Sequence, residues 1–192
     1  VSELQEKNTE LNAKINALEE NITKLRQELK LKNYITIGLT FLWSPSVEVD
    51  KGMLAYGVRV LNSEWDQAHV YYFLYHASAE PFIPEYADLC SLDQWIDRAE
   101  ALYPGPDIPI TILANTNAHW SACTIKGQSG IAVLHGAEYD PSLLTHELLH
   151  NFGFSDEVLQ HAAMTSIPST FYAQIQSAAR QYQMPIPSDE SS

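Results

Sequence analysis

Residues 145–156, THELLHNFGFSD, constrain this chain more than any other stretch. They carry H-E-x-x-H followed by x-x-G-x-x-D. Asp140 and Pro141 form a helix start just upstream, a capping carboxylate followed by a first-turn proline. Leu143, Leu144, Leu148 and Leu149 then supply apolar anchoring. On the resulting helix His146 and His150 lie four residues apart and share one face. Two imidazoles at that spacing can hold one zinc ion. Glu147 sits beside the open coordination position, where it can take a proton from a zinc-bound water. Gly153 ends the helix in a left-handed conformation, and the turn there can swing Asp156 back towards the metal. A chance H-E-x-x-H is expected about 0.02 times in a chain of this composition. Fixing Gly153 and Asp156 as well lowers that further, so the pattern is read as a site and not as two satisfied core histidines.

A second pattern occupies residues 1–32. Val1, Asn8, Ile15, Ile22 and Leu29 repeat at one seven-residue spacing, and Leu4, Leu11, Leu18 and Leu25 at the other. No Gly or Pro interrupts them. β-Branched residues at a with Leu at d favour a parallel two-stranded coiled coil, and one buried Asn8 fixes register and partner number. The helix would run roughly 45–50 Å. The reading is a homodimer through residues 1–32.

The chain between these patterns alternates. Residues 34–43 (YITIGLTFLW) read as a buried strand. Asp50 caps a helix whose apolar face is Met53, Leu54, Gly57, Val58, Leu61 and Trp65. Residues 69–75 are a second strand, and strand–helix–strand suggests a parallel crossover. Ser91 caps a short helix with Leu92, Trp95 and Ile96 inward. Residues 108–114 form a third strand, 115–128 a polar loop containing Trp120 and Cys123, and 130–135 a fourth strand. After the motif come a loop with Met164 and a last helix, 170–182, capped by Ser169. The resulting organisation is a coiled-coil stalk at 1–33, an α+β domain at 34–184 and a polar tail at 185–192.

The net charge is −13. Residues 1–33 hold six acids and six bases, so the remainder carries all of it. An acidic body argues against nucleic acid or an anionic membrane as partner. The two cysteines, Cys90 and Cys123, form either one disulfide in an oxidising compartment or two free thiols. No stretch reaches the length of a membrane-spanning helix. The chain starts at Val1 without an initiator Met, which leaves room for an upstream signal or membrane anchor. The expected location is extracellular or the cell surface, with the cytoplasm as the alternative.

The motif resembles that of the metzincin clan of zinc endopeptidases, H-E-x-x-H-x-x-G-x-x-H or D followed by a methionine turn. His146, Glu147, His150, Gly153 and Asp156 occupy the motif positions, and Met164 is the methionine. Asp as third ligand is similar to the snapalysin-type variant. The order of elements over residues 34–182 follows the same clan. The resemblance implies a metzincin-like zincin domain, a twisted mixed sheet with helices, an active-site helix and a Met-turn. It implies a Zn2+ cofactor, and hydrolysis of peptide bonds in a peptide or protein substrate by a zinc-bound water that Glu147 activates. It also implies an edge strand along which substrate lies extended, for which Gly130, Ile131, Ala132, Val133 and Leu134 are the candidates. His161 and Glu157 are alternative third ligands, and Tyr172 an alternative to the tyrosine that astacins carry two residues after the methionine, where this chain has Ser166. The competing reading is a catalytically inactive zincin-fold module, binding or structural, assembled by its coiled coil. Retention of Glu147 speaks against it, because a scaffold has no use for that carboxylate.

Overall fold

A computed structural model describes residues 2–31, 33–88, 93–116, 119, 121–124, 129–159 and 166–187. The expectations for Cys90, Ser91, Leu92, Trp120, His161 and Met164 lie outside the described residues. The chain divides into two compact units, Val1–Tyr34 and Ile35–Ser192. No helix among the described residues is long and apolar enough to cross a membrane.

The first unit is one α-helix, α1 (Ser2–Leu31). An i,i+4 pair, Lys14 with Glu10 at 2.6 Å, supports it. The hydroxyls of Thr9 and Thr23 donate to carbonyls one turn back, those of Gln5 and Glu19. Leu11, Ile15, Leu18, Ile22 and Leu25 are all exposed. The coiled coil expected here needs a second helix, which the chain does not supply among its described residues.

The second unit is built on a five-stranded mixed sheet in the order β2-β1-β3-β5-β4. Its strands are β1 (Ile35–Trp43), β2 (Val70–Ala79), β3 (Ile108–Leu113), β4 (Ala122–Cys123) and β5 (Ile131–Leu134). β1 pairs in parallel with β2 and β3, β3 in parallel with β5, and β4 antiparallel to β5. All nine residues of β1 are buried, as a central parallel strand covered on both faces requires. Alternate residues divide between two cores. Ile35, Ile37, Leu39, Phe41 and Trp43 join one with Leu54, Leu61, Leu148 and Leu149. Leu42 joins Ile83, Trp95, Ala99, Leu113 and Ala132 in the other.

The helices are α2 (Lys51–Trp65), α3 (Asp93–Leu102), α4 (Pro141–Asn151), the single turn α5 (Asp156–Leu159) and α6 (Tyr172–Ala179). Asp50 caps α2 as expected, accepting from the amides of Gly52 at 2.8 Å and Met53 at 3.1 Å. Leu54, Gly57, Val58, Leu61 and Trp65 are buried, but Met53 is exposed. It lies one position ahead of Leu54, at the rim of the stripe. Cys123 is disulfide-bonded, while Cys90 is the chain's only other cysteine.

Two elements differ from their expected form. β2 starts at Val70, because His69 takes a left-handed turn at φ 56°. It then runs on to Ala79, opposite Trp43, with a register shift that leaves Tyr75 as the extra residue of a bulge. The expected last helix is three pieces, a 3-10 turn at Ser169–Phe171, α6, and a second 3-10 turn at Arg180–Tyr182. Ser169 does not cap it; Pro168 holds the cap position, with no side-chain hydrogen bond. The chain beyond Tyr182 still belongs to the fold. Gln183 bridges Ile37, and the Met184 amide donates to the Thr36 carbonyl at 2.9 Å. These contacts serve the start of β1, which β3 leaves unpaired before Leu39.

The start of the motif helix follows from its sequence. Asp140 Oδ1 accepts from the amides of Ser142 at 3.0 Å and Leu143 at 3.3 Å, and Pro141 occupies the first turn. Asp140→Ala should lower stability by about 1 kcal/mol, a typical cost of losing a capping side chain. For a chain of this size that is a fall in Tm of about 2–4 °C, read by thermal denaturation of the metal-free protein.

Candidate metal centre

α4 is held from both sides before any metal is considered. On one side the Thr145 hydroxyl donates to Glu64 Oε2 at 2.7 Å and accepts from Trp65 Nε1 at 3.1 Å, which locks α4 to α2. Trp65 is wholly buried and meets Tyr72 and Phe152 edge-on. On the other side Asn151 Oδ1 accepts from the Gly130 amide at 3.1 Å, which ties the end of α4 to the start of β5. Gly130 has φ 111°, a conformation that favours glycine, and a Cβ there would also press on Ile96 Cδ1 at 2.9 Å unless that side chain shifted.

Between these anchors the two histidines converge. Their Nε2 atoms are 3.1 Å apart, with the rings perpendicular. After α4 the chain turns at Gly153, at φ 90°. That turn brings the Phe154 carbonyl to 2.9 Å from His150 Nδ1 and Asp156 Oδ1 to 3.3 Å from His150 Nε2. A carbonyl only accepts, so the His150 proton sits on Nδ1 and the Nε2 lone pair faces the cluster. This is the outer hydrogen bond that orients a metal-binding imidazole. One ligand atom from each of His146, His150 and Asp156 lies within 4.8 Å of the others.

The residues fit a tetrahedral ion of zinc's size. Two ligands at about 2.0–2.1 Å from such an ion stand about 3.3 Å apart. Two of the three separations, 3.1 and 3.3 Å, match that edge, and the third, between His146 and Asp156, lies within 4.8 Å. Two neutral nitrogens and one carboxylate are donors that zinc accepts.

Glu147 is buried, at 5% exposure, and its Oε2 has no hydrogen-bond partner among the described residues. A buried carboxylate oxygen without a partner is costly and calls for an explanation. Burial is the main cause of a pKa pushed above the ordinary carboxyl value; the Thr124 hydroxyl and His150 pull it back, and Asp156 adds to the rise. Thr124 faces the carboxylate without completing a hydrogen bond of normal geometry.

Several sequence expectations land elsewhere. The substrate edge assigned to Gly130, Ile131, Ala132, Val133 and Leu134 is not an edge. β5 is paired to β3 on one side, and to β4 on the other through Ala122 with Val133 and Cys123 with Ala132. The outermost strand on this side is β4, which the sequence reads as loop. Glu157 is exposed and outside the cluster. Tyr172 packs against the main core from α6. His161 and Met164 lie outside the described residues. His135 pairs with buried Glu138 at 2.9 Å, and His76 stacks on Tyr103. Sequence reasoning missed Thr124, Asn151 and the Phe154 carbonyl. Only Asn151 left a signal, as the polar residue that ends an otherwise apolar helix face. A groove of about 380 Å³ lined by Phe154, Val158, Phe171 and Gln174, among others, opens beside the Gly153 turn. It does not include His146, Glu147 or His150.

No protein-family model matches the sequence, and no curated protein matches it. Among solved structures the fold is similar to that of a metalloproteinase. That structure, metalloproteinase-II from Bacteroides fragilis, aligns with a TM-score of 0.55 at 8% identity, over 77% of this chain and 54% of that one. A second, described as a chaperone-substrate complex, aligns with a TM-score of 0.50 at 13% identity, over 64% of this chain and 24% of that one. The chain thus spans about half the length of the first and about a quarter of the second. At these identities the likeness is one of fold alone: a mixed α+β domain similar in fold to that metalloproteinase, with a His-His-Asp group that could hold a metal ion.

Proposed function

We propose that residues 34–184 are a zinc-dependent endopeptidase. The observation that carries this is the convergence of His146, His150 and Asp156 within 4.8 Å beside the buried, partnerless Oε2 of Glu147. Three protein ligands leave a fourth position open, the pattern of catalytic rather than closed structural zinc sites. The H-E-x-x-H-x-x-G-x-x-D spacing, together with the metalloproteinase-like fold, supports membership of the metzincin clan.

Each residue has a distinct task. His146 and His150 present neutral nitrogens, and the Phe154 carbonyl keeps the His150 proton away from the ligand side. Asp156 adds the negative charge that offsets part of a dication's charge. Glu147 takes the proton of the attacking water and passes it to the leaving amine, and its burial fits a carboxyl that must alternate between charged and neutral forms. Zinc, when bound, supplies a Lewis acid that polarises the scissile carbonyl and makes water acidic enough to react near neutral pH. The substrate is an extended peptide adding as a strand along β4, the outermost strand, through main-chain hydrogen bonds. A disulfide at Cys123 supports an extracellular or cell-surface location.

The test is metal analysis combined with digestion of a peptide library. The expected result is about one zinc per chain, cleavage abolished by a chelator and restored by zinc. A chain that holds stoichiometric zinc yet cleaves nothing in a diverse library is the inactive binding module instead.

A further inference from the structure

The geometry points to α1 as a homodimerisation element, a parallel two-stranded coiled coil aligned in register with a second copy of this chain. The inference rests on α1 alone and stands or falls independently of the peptidase reading.

The first observation is exposure. Leu11, Ile15, Leu18, Ile22 and Leu25 are 59%, 44%, 60%, 47% and 63% exposed, and they follow one another at alternating four- and three-residue steps. A single apolar side chain on a surface needs no explanation, but an unbroken stripe along a helix does. Most of a helix's stability in proteins comes from packing its apolar face, and this stripe is exposed. The stripe is narrow, a and d positions only, which suits the seam of a two-stranded coil and not the broader face of a helix packed on a globular body.

The second observation chooses the partner and its direction. In a parallel, in-register pair each core residue meets its own counterpart. Asn8 then faces the partner subunit's Asn8, and the two amides can satisfy one another. Lys14 at g faces the partner subunit's Glu19 at e, twice by symmetry, and no like charges meet across the seam. An antiparallel pair of full overlap sets Asn8 against the partner subunit's Leu25, leaving a polar amide in an apolar seam. β-Branched Ile15 and Ile22 at a, with Leu11, Leu18 and Leu25 at d, is the combination that favours two strands over three or four.

The experiment uses the full chain. Sedimentation equilibrium at micromolar concentration should return a dimer mass. Leu18→Glu should weaken association at least tenfold while leaving the thermal transition of residues 35–192 in place. Ile22→Cys fixes the direction. In the parallel pair the two introduced thiols face each other and should form an interchain disulfide under mild oxidation. In the antiparallel pair they are offset by roughly 16 Å along the axis, beyond the reach of a disulfide. Asn8→Ile should tighten association about tenfold and admit trimers. A monomer at these concentrations overturns the proposal and assigns the stripe to a different protein's helix. So does a dimer that survives Leu18→Glu, or one in which Ile22→Cys fails to cross-link.

Discussion

Glu147→Gln should keep its zinc and lose hydrolysis by about 10²–10⁴-fold, the usual worth of a general base. The glutamine amide matches the carboxylate in size, so the packing of α4 against α2 and β5 is undisturbed. Glu147 is not one of the three clustered ligand residues, so metal content should not change. What disappears is a group able to accept a proton, at a position where Oε2 is buried and makes no hydrogen bond. The measurement is zinc content and peptide turnover on the same preparations of both proteins. Equal turnover, with contaminating protease excluded, would remove Glu147 from the mechanism. Loss of both zinc and activity would make the residue structural.

Asp156→Ala should release zinc. Losing an outer hydrogen-bond partner alone typically costs about 10–100-fold in metal affinity, so removing a ligand should exceed that range. The contrast with its neighbours is the informative part. Glu157→Ala should leave affinity nearly unchanged, since Glu157 is exposed and outside the cluster. His161→Ala should do the same, because the carboxylate of Asp156 already stands 3.3 Å from His150 Nε2. Asp156→His should restore binding in the commoner form of the motif. A zinc titration of the three alanine variants in one buffer decides the matter. If His161→Ala drops the metal while Asp156→Ala retains it, the ligand assignment is wrong.

Much of this geometry was legible because it is local. The Asp140 cap, the proline in the first turn, the i,i+4 histidines and the glycine turn are each properties of a few consecutive residues, and each occurs where the sequence put it. β1, β3 and β5 were also legible, since a buried parallel strand must be a continuous apolar run. β4 was not. Ala122 and Cys123 are a strand only because Val133 and Ala132 stand opposite them, and no two-residue pattern announces that. Missing β4 is what made β5 read as an edge strand. The same holds for the length of β2, drawn out to Ala79 by its pairing with β1 through a bulge at Tyr75. The last helix divides into 3-10 and α segments with no Gly or Pro inside it to mark the division in the sequence. For α1 the heptads suggest a partner, whereas the described residues show one helix with its apolar stripe exposed.

The candidate ligands all come from one run of eleven residues, His146 to Asp156. Closing a loop that short costs little chain entropy, so the metal-holding geometry has low contact order and needs few distant contacts. Glu147 is different. Its burial depends on β4 arriving from more than twenty residues upstream to set Thr124 against it, and on Gly130 fixing the register of β5 against α4. Holding the metal is therefore encoded nearby along the chain, and using it is encoded far away. On the proposed reading, damage to the sheet edge should leave a domain that still binds a metal ion but has lost the environment that buries the Glu147 carboxylate.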